Sequence, residues 1–425
     1  MEIESFYHKF QNFREAVIDS RKVQPGDIFF AFSGENFNAA TQAVDAVEKG
    51  ALAVIVEDQE FADPTQNIFF VPSTLDFLQQ LAKYHRKQMS APFIGIIGSN
   101  GKTTTKELIH AVLSRKYNVQ FTYGNLNNHI GVPITVLSVK PHHNLAVIEM
   151  GANHRQEIAA LCEIAAPDFG YISNFGKAHL EGFGGLDGVI KGKSELYDYL
   201  RDNGKTVLVN TSDEIQKKQS EGISSVIRFG DVDADYCFRK NEHAHFVGIE
   251  FGDVSCMSQL TGSYNFSNLS AAAAFGLHFG VEPQQICKAI AEYVPSNMRS
   301  QIVHKNGMTM VLDTYNANPS SMTEALRNFA DFEGSKTVIL GDMLELGDQS
   351  AAEHTSILQL TEKLGFDHVI TVGSHFYDVN SAGSRFRNTG DVHDYLLENP
   401  VKTDNLLLKG SRGIALEKLL DILAV

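Results

Sequence analysis

The sequence predicts an α/β protein of three units, the middle one a doubly wound parallel sheet. Three observations carry this. β-branched apolar runs alternate with helix-like stretches, most runs end in Gly, Asp, Glu or Lys, and 425 residues leave room for roughly three cores of about 150 residues each. Strands alternating with helices make parallel sheets covered on both faces.

The first unit, 1–88, is a small α/β domain. It holds IFFAF (28–32), a helix-like stretch around 40–49 and ALAVIVE (51–57). After Ser90, Ala91 and Pro92 the pattern restarts with FIGII (93–97), a run suited to a buried parallel strand. The second unit, 89–296, continues with a helix from Lys102 to about Arg115, a strand NLAVIEM (144–150), a helix near 155–164 and a strand FGYIS (169–173). VLVN, SVIRF and FVGIEF add strands between 206 and 260, some of them antiparallel, and the alanines of NLSAAAAFGLHFG mark a packed helix. The third unit, 297–425, is Rossmann-like, with strands TMVLD (309–313), TVILGD (337–342), HVITVG (368–373) and NLLLKG (405–410). Ligands of such sheets bind beyond the carboxyl ends of the strands, so the loop residues there are the candidates.

A formal net charge of −15 disfavours a general nucleic-acid binder, whose phosphate contacts need a concentrated basic face. No segment approaches the run of about 20 apolar residues that a membrane span requires. MEIESFYHKF has neither a basic n-region nor an apolar h-region, so a cytoplasmic protein is expected. Separately, a monomer is the expected state. Cys162, Cys237, Cys256 and Cys287 are far apart with no C-x-x-C pair, so reduced, buried thiols are expected. Two histidine pairs, His142 with His143 and His243 with His245, lack acidic or cysteine partners at ligand spacing and read as surface residues.

The chemistry begins at Gly98, Ser99, Asn100, Gly101, Lys102, Thr103 and Thr104, between a strand and a helix. This is the setting of a P-loop-type phosphate cradle. Glycines let backbone N–H groups turn toward phosphates, the helix N-terminus adds partial positive charge, Lys102 supplies a point charge and Thr103 a hydroxyl for Mg²⁺. Position 96, where the usual spacing puts the first glycine, is Ile96, so the loop is a shorter variant starting at Gly98. Glu149 ends an apolar run where its strand should emerge beside this loop, the place for an acid that holds the nucleotide's Mg²⁺. His179 follows the next strand and could ligate a metal; the residue type alone also fits a surface or packing histidine. Lys193 lies on an expected helix, where a solvated lysine is the ordinary reading.

Taken together, the strings GSNGKTTTKE (98–107), TYGNLNNHIGVP (122–133), IEMGANHRQEI (148–158), NFGKAHLEGFG (174–184), KGKSEL (191–196), GSYNFSNLSAA (262–272), DTYNANPSSM (313–322), LGDMLELG (340–347) and KGSR (409–412) resemble the Mur ligases, in family order. DSRKVQPGDIFFAFSGENF (19–37) is similar to the family's UDP-binding stretch. The strings are most similar to the branch that adds D-alanyl-D-alanine, and the absence of a D-N-P-R string argues against the branch that adds meso-diaminopimelate. NAATQ stands where an Asp-Gly-His-like stretch usually follows GENF.

The resemblance implies ATP-driven amide formation between UDP-N-acetylmuramoyl-tripeptide and D-alanyl-D-alanine through an acyl phosphate. It implies that Lys102 and Thr103 serve ATP and a first Mg²⁺, that Glu149 shares this ion, and that His179 holds a second. It makes Lys193 a carbamylated lysine and metal ligand, Asn268 with Asn265 the adenine contacts, and Arg299 and Asp313 the ribose and phosphate contacts. Ser20, Arg21, Asn127 and Asn128 fall on the substrate side. A folylpolyglutamate synthase-like ligase is a rival within the class, which AHLEGFG and DTYNANP disfavour. A GTP switch would need Asn-Lys-x-Asp, and the nearest string, Val401-Lys402-Thr403-Asp404, has the wrong first residue and lies in the third unit. A bare nucleotide-binding module leaves Glu149, His179 and Lys193 without a joint purpose.

Overall fold

The computed structural model describes residues 2–34, 37–243, 245–295, 298–379 and 383–423. The expected boundary at 296/297, and Glu35 and Asn36 of the GENF string, lie outside the described residues.

In the first unit, β1 (Ala16–Val17), β2 (Ile28–Ala31), β5 (Ala53–Val56) and β6 (Ile68–Phe70) form a parallel sheet in that order, while β3 (Ser33–Gly34) and β4 (Phe37–Asn38) pair separately. IFFA and AVIV are buried throughout, as strands covered on both faces are. Helix Thr74–Gln88 is an element not expected from the sequence. Ser73 caps it by accepting from the Asp76 N–H at 3.1 Å. Phe77, Leu78, Leu81, Ala82 and His85 make its buried stripe, which packs on helices Gly131–Ser138 and Glu157–Ala165 of the second unit. His85 Nε2 lies 2.7 Å from the Val139 carbonyl and so donates to it, which leaves Nδ1 to accept from the Tyr7 hydroxyl at 2.9 Å. Arg86 pairs with Asp168 at 2.6 Å and lies 3.9 Å over the Phe93 ring.

The second unit contains β7 (Phe93–Ile97), β8 (Val119–Phe121), β9 (Leu145–Glu149), β10 (Phe169–Ile172), β11 (Thr206–Asn210), β12 (Ser225–Gly230) and β13 (Tyr236–Cys237), all parallel, in the order β13-β12-β11-β10-β7-β9-β8. The chain winds from β7 to β8 and β9 on one side, then crosses to β10 on the other. The crevice at the carboxyl ends of β7, β9 and β10 is therefore the switch point of a doubly wound sheet. β14 (Arg239–His243), β15 (Phe246–Phe251) and β16 (Val254–Thr261) form an antiparallel sheet, so FVGIEF is antiparallel while VLVN and SVIRF join the parallel one. Ala271 to Ala274 are fully buried in helix Asn265–His278, which packs against helix Lys102–Leu113.

The third unit has β17 (Gln301–Lys305), β18 (Met308–Asp313), β19 (Lys336–Gly341), β20 (His368–Val372), β21 (Ser384–Phe386) and β22 (Asn405–Lys409), in the order β17-β18-β22-β19-β20-β21. Antiparallel β17 and edge strand β21 were not expected, and the last strand in sequence sits mid-sheet.

Two expectations are corrected. Cys256 on β16 and Cys287 on helix Pro283–Glu292 are disulfide-bonded, because that helix packs across the strand, and Cys237 is exposed; Cys162 alone is a buried free thiol. His245, expected on the surface, stacks on Phe332 of the third unit with ring centroids 3.7 Å apart. No helix among the described residues is long and apolar enough to cross a membrane.

Candidate active site

β7 delivers the chain to Gly98 with φ 147° and, three residues on, to Gly101 with φ 76°, a region that favours glycine. Space adds a second demand. A Cβ on Gly98 would collide with the Ser173 hydroxyl, and one on Gly101 would lie 2.7 Å from Asn268 Oδ1. The loop is moored to the chain beyond β10: the Ser99 and Asn100 N–H groups donate to the Asn174 carbonyl (3.0 Å) and Oδ1 (3.1 Å), and the Ser99 hydroxyl donates to the Gly176 carbonyl at 2.6 Å. Lys102 opens the helix and folds back, its Nζ donating to the carbonyls of Gly98 (2.8 Å) and Ser99 (3.3 Å).

Pairing of Ile96 with Glu149 brings the end of β9 alongside the loop. Glu149 is 1% exposed, and its Oε1 accepts from the Thr103 hydroxyl at 3.2 Å and from Asn127 Nδ2 at 2.8 Å. Asn128 Oδ1 accepts from the N–H groups of Ile130 and Gly131, which starts the next helix. Lys193 is not a solvated lysine: it is buried on the inner face of helix Leu186–Asp202, with Nζ 3.2 Å from the Gly98 carbonyl. Burial, and then the Lys102 charge, push its pKa well below that of an ordinary lysine. His179 has a left-handed backbone, φ 52°, and its Nδ1 pairs with the Glu345 carboxylate of the third unit. That bond, against the opposing effect of burial, lowers the Glu345 pKa.

On the helix side, Asn268 Oδ1 accepts from the Thr105 hydroxyl (3.0 Å) and its Nδ2 donates to Asn265 Oδ1 (2.8 Å). Asn265 Nδ2 in turn donates to the Thr261 carbonyl at 2.7 Å. From the third unit, the Arg299 guanidinium lies 3.8 Å over the Tyr315 ring, with Arg412 5.3 Å from the same ring. Asp313 pairs with Lys409 at 2.5 Å. Asn318 donates to Asn100 Oδ1 at 2.7 Å, so the third unit touches the phosphate loop itself.

These groups enclose a cleft of about 1150 Å³. Ser99 to Thr104, Asn127, Asn128, Glu149, His179, Asn265, Asn268, Arg299 and Asp313 line it. Gly98 and Lys193 lie behind the wall rather than on it, one bond from each other. Ser20 and Arg21 are elsewhere, on the turn Ser20–Lys22, where Arg21 pairs with Asp19 and leaves 86% of its side chain exposed. Sequence reasoning did not single out Tyr315, Asn318, Glu345 or the buried Lys106. Only the Asn318-Pro319 pair, a helix-start signal, hinted at any of them.

Fold and site together define a phosphate-loop, nucleotide-binding protein of three α/β units. Residues 13–86, 96–276 and 298–411 match, in turn, the Mur ligase catalytic domain, the Mur ligase middle domain and the Mur ligase glutamate ligase domain. The UDP-N-acetylmuramoyl-tripeptide–D-alanyl-D-alanine ligase of Bacillus subtilis is 33% identical, over 94% of this chain and 91% of that protein. MurF from Acinetobacter baumannii superposes with a TM-score of 0.86 at 30% identity, covering 99% of this chain and 98% of that one. MurF from Thermotoga maritima, solved in complex with ADP, gives 0.84 at 26% identity, with 98% of each chain covered. The chain belongs to the Mur ligase family, within its MurF group.

Proposed function

We propose that this chain joins D-alanyl-D-alanine to UDP-N-acetylmuramoyl-tripeptide at the expense of ATP, in the cytoplasm, as a step of peptidoglycan precursor synthesis. The observation that carries the chemistry is the phosphate loop with Glu149, Thr103 and Asn127 joined at its mouth. Residues 1–88 would take the UDP end through Ser20 and Arg21, 89–296 the nucleotide, and 297–425 would close over both. The separate family matches over 13–86, 96–276 and 298–411 support a division into three units, and the Asn318 contact to the loop supports closure by the third.

Carboxylates are poor electrophiles, and transfer of the γ-phosphoryl group gives the tripeptide carboxylate a leaving group. The dipeptide amine then attacks the acyl carbon, and phosphate departs. Lys102, now bonded to the loop's own carbonyls, would swing to the outer phosphates, while the N–H groups of the helix start, from Lys102 to Thr104, would hold the inner ones. Asn268 and Asn265 would bound the adenine, Arg299 and Asp313 the ribose and phosphates, and Asn127 and Asn128 the tripeptide side. Contact between the third unit and the loop would exclude water from the acyl phosphate.

Two Mg²⁺ ions would supply charge neutralisation for the meeting anions. The residues fit hard-cation ligation: the Thr103 hydroxyl and the buried Glu149 carboxylate offer oxygens, and among the described residues Glu149 Oε2 has no hydrogen-bond partner. His179 and Lys193 would serve the second ion. An ammonium there would repel a cation, whereas the lowered pKa of Lys193 favours the free amine, the form that reacts with CO₂ to give an anionic carbamate. Phosphate release from ATP, measured with the UDP-muramoyl tripeptide and a panel of dipeptides, tests the reading. Release should depend on D-alanyl-D-alanine, and release indifferent to the dipeptide would reject it.

A further inference from the structure

Behind Glu149 lies a lysine the chemistry above does not use. Lys106 sits one turn after Lys102 and is fully buried. Its Nζ is 3.6 Å from Glu149 Oε2, 3.8 Å from Glu107 Oε1 and 5.5 Å from the centre of the Phe121 ring. Among the described residues neither Lys106 Nζ nor Glu149 Oε2 makes a hydrogen bond, although Glu149 Oε1 makes two. The two ends of this carboxylate are therefore held differently, one by donors and one by charge alone.

A carboxylate this deep needs a compensating charge. A hydrogen-bonded lysine would supply it but would also occupy the oxygen's lone pairs; a lysine held back at 3.6 Å supplies it and leaves them open. We propose that Lys106 is a positioning residue for Glu149, the standing counter-charge that holds Oε2 in place and open to a divalent cation. The inference rests on the reading of Glu149 as a cation ligand. A cation-free site is then already compensated, and removing Lys106 makes the protein depend on the cation for that compensation.

The test compares thermal midpoints of the full chain and of Lys106→Met, Glu149→Gln and the double variant, each in EDTA and in millimolar MgCl₂. Lys106→Met should melt several degrees lower in EDTA, roughly the shift a lost buried charge partner gives. MgCl₂ alone should raise its midpoint more than that of the unaltered chain, and the double variant should recover most of the loss. A Lys106→Met deficit that is the same in both buffers and is not recovered by Glu149→Gln would make Lys106 a packing residue and overturn the proposal. If Lys106→Met does not fold, Glu149→Gln and the double variant decide: the double variant should be the more stable, since Glu149→Gln leaves a buried ammonium that has lost the nearer of its two carboxylates and keeps Glu107 at 3.8 Å, and the reverse order overturns the proposal. Failure of the underlying reading looks different. Glu149→Gln would then keep an unaltered MgCl₂ shift while the double variant still recovered, leaving the charge pair and removing Glu149's role toward the cation.

Discussion

The phosphate loop at 98–104 and the turn at Ser20–Lys22 are both candidate binding sites, and they are built in opposite ways. Around the loop most polar groups already have a protein partner: the loop amides go to Asn174, Lys102 to the loop carbonyls, Thr103 and Asn127 to Glu149, and Asn318 to Asn100. On the turn, Arg21 pairs with its neighbour Asp19 and stands 86% exposed in solvent. Charge must be stabilised at a fixed point during phosphoryl transfer, which rewards a preorganised wall. A long nucleotide-sugar substrate can be gripped by side chains that order on binding, at some loss of affinity.

This contrast predicts unequal sensitivity. Just behind the wall, Lys193→Ala should lower kcat by roughly 10³-fold, in line with removal of a preorganised electrostatic group, and added short carboxylic acids should restore part of it. Unimpaired turnover, or a loss no acid relieves, would refute a carbamate there.

The next effect concerns how the first unit is held. Burial, opposed by the Val139 hydrogen bond, lowers the His85 pKa from 6.5 to about 4. Between these values the unfolded chain binds a proton that the folded chain does not, so stability falls as pH drops from about 6.5 to 4, by about 3 kcal/mol at most. Urea midpoints across that window should show the slope, and His85→Gln, which cannot titrate, should flatten it.

Asn318→Asp comes third. It keeps an acceptor for the Ser321 N–H, and so the cap of helix Pro319–Ala330, but removes the donor to Asn100. kcat should fall about tenfold, the worth of one hydrogen bond at its upper range, with a nearly unchanged melting temperature. Smallest is Arg21→Ala, which should raise the KM for the UDP-linked substrate up to about tenfold with kcat unchanged, the mark of binding shared by ground and transition states. A kcat loss matching that of the Lys193 variant would erase the contrast.

Legibility followed sequence distance. The loop could be read because strand, glycines and helix are contiguous, and Glu149 because an apolar run ends on it. Lys193 was placed on its helix, but its burial depends on a carbonyl 95 residues earlier, which no local pattern records. Lys106 looks like any helix lysine until β9 is set beside it. The Cys256–Cys287 pair, 31 residues apart, follows from a helix crossing a strand rather than from any spacing motif. The mid-sheet place of β22 is likewise a property of the whole unit, since each strand reads the same wherever it pairs.

Tyr123 stands 79% exposed two residues before Asn125, which lines the cleft together with Arg299 and Tyr315. The chain contains no tryptophan. Tyr123→Trp would give it a single indole at the rim, with little packing to disturb. Its emission would then be an optical gauge of how far the third unit comes down on the second, readable in stopped flow as each substrate is added in turn.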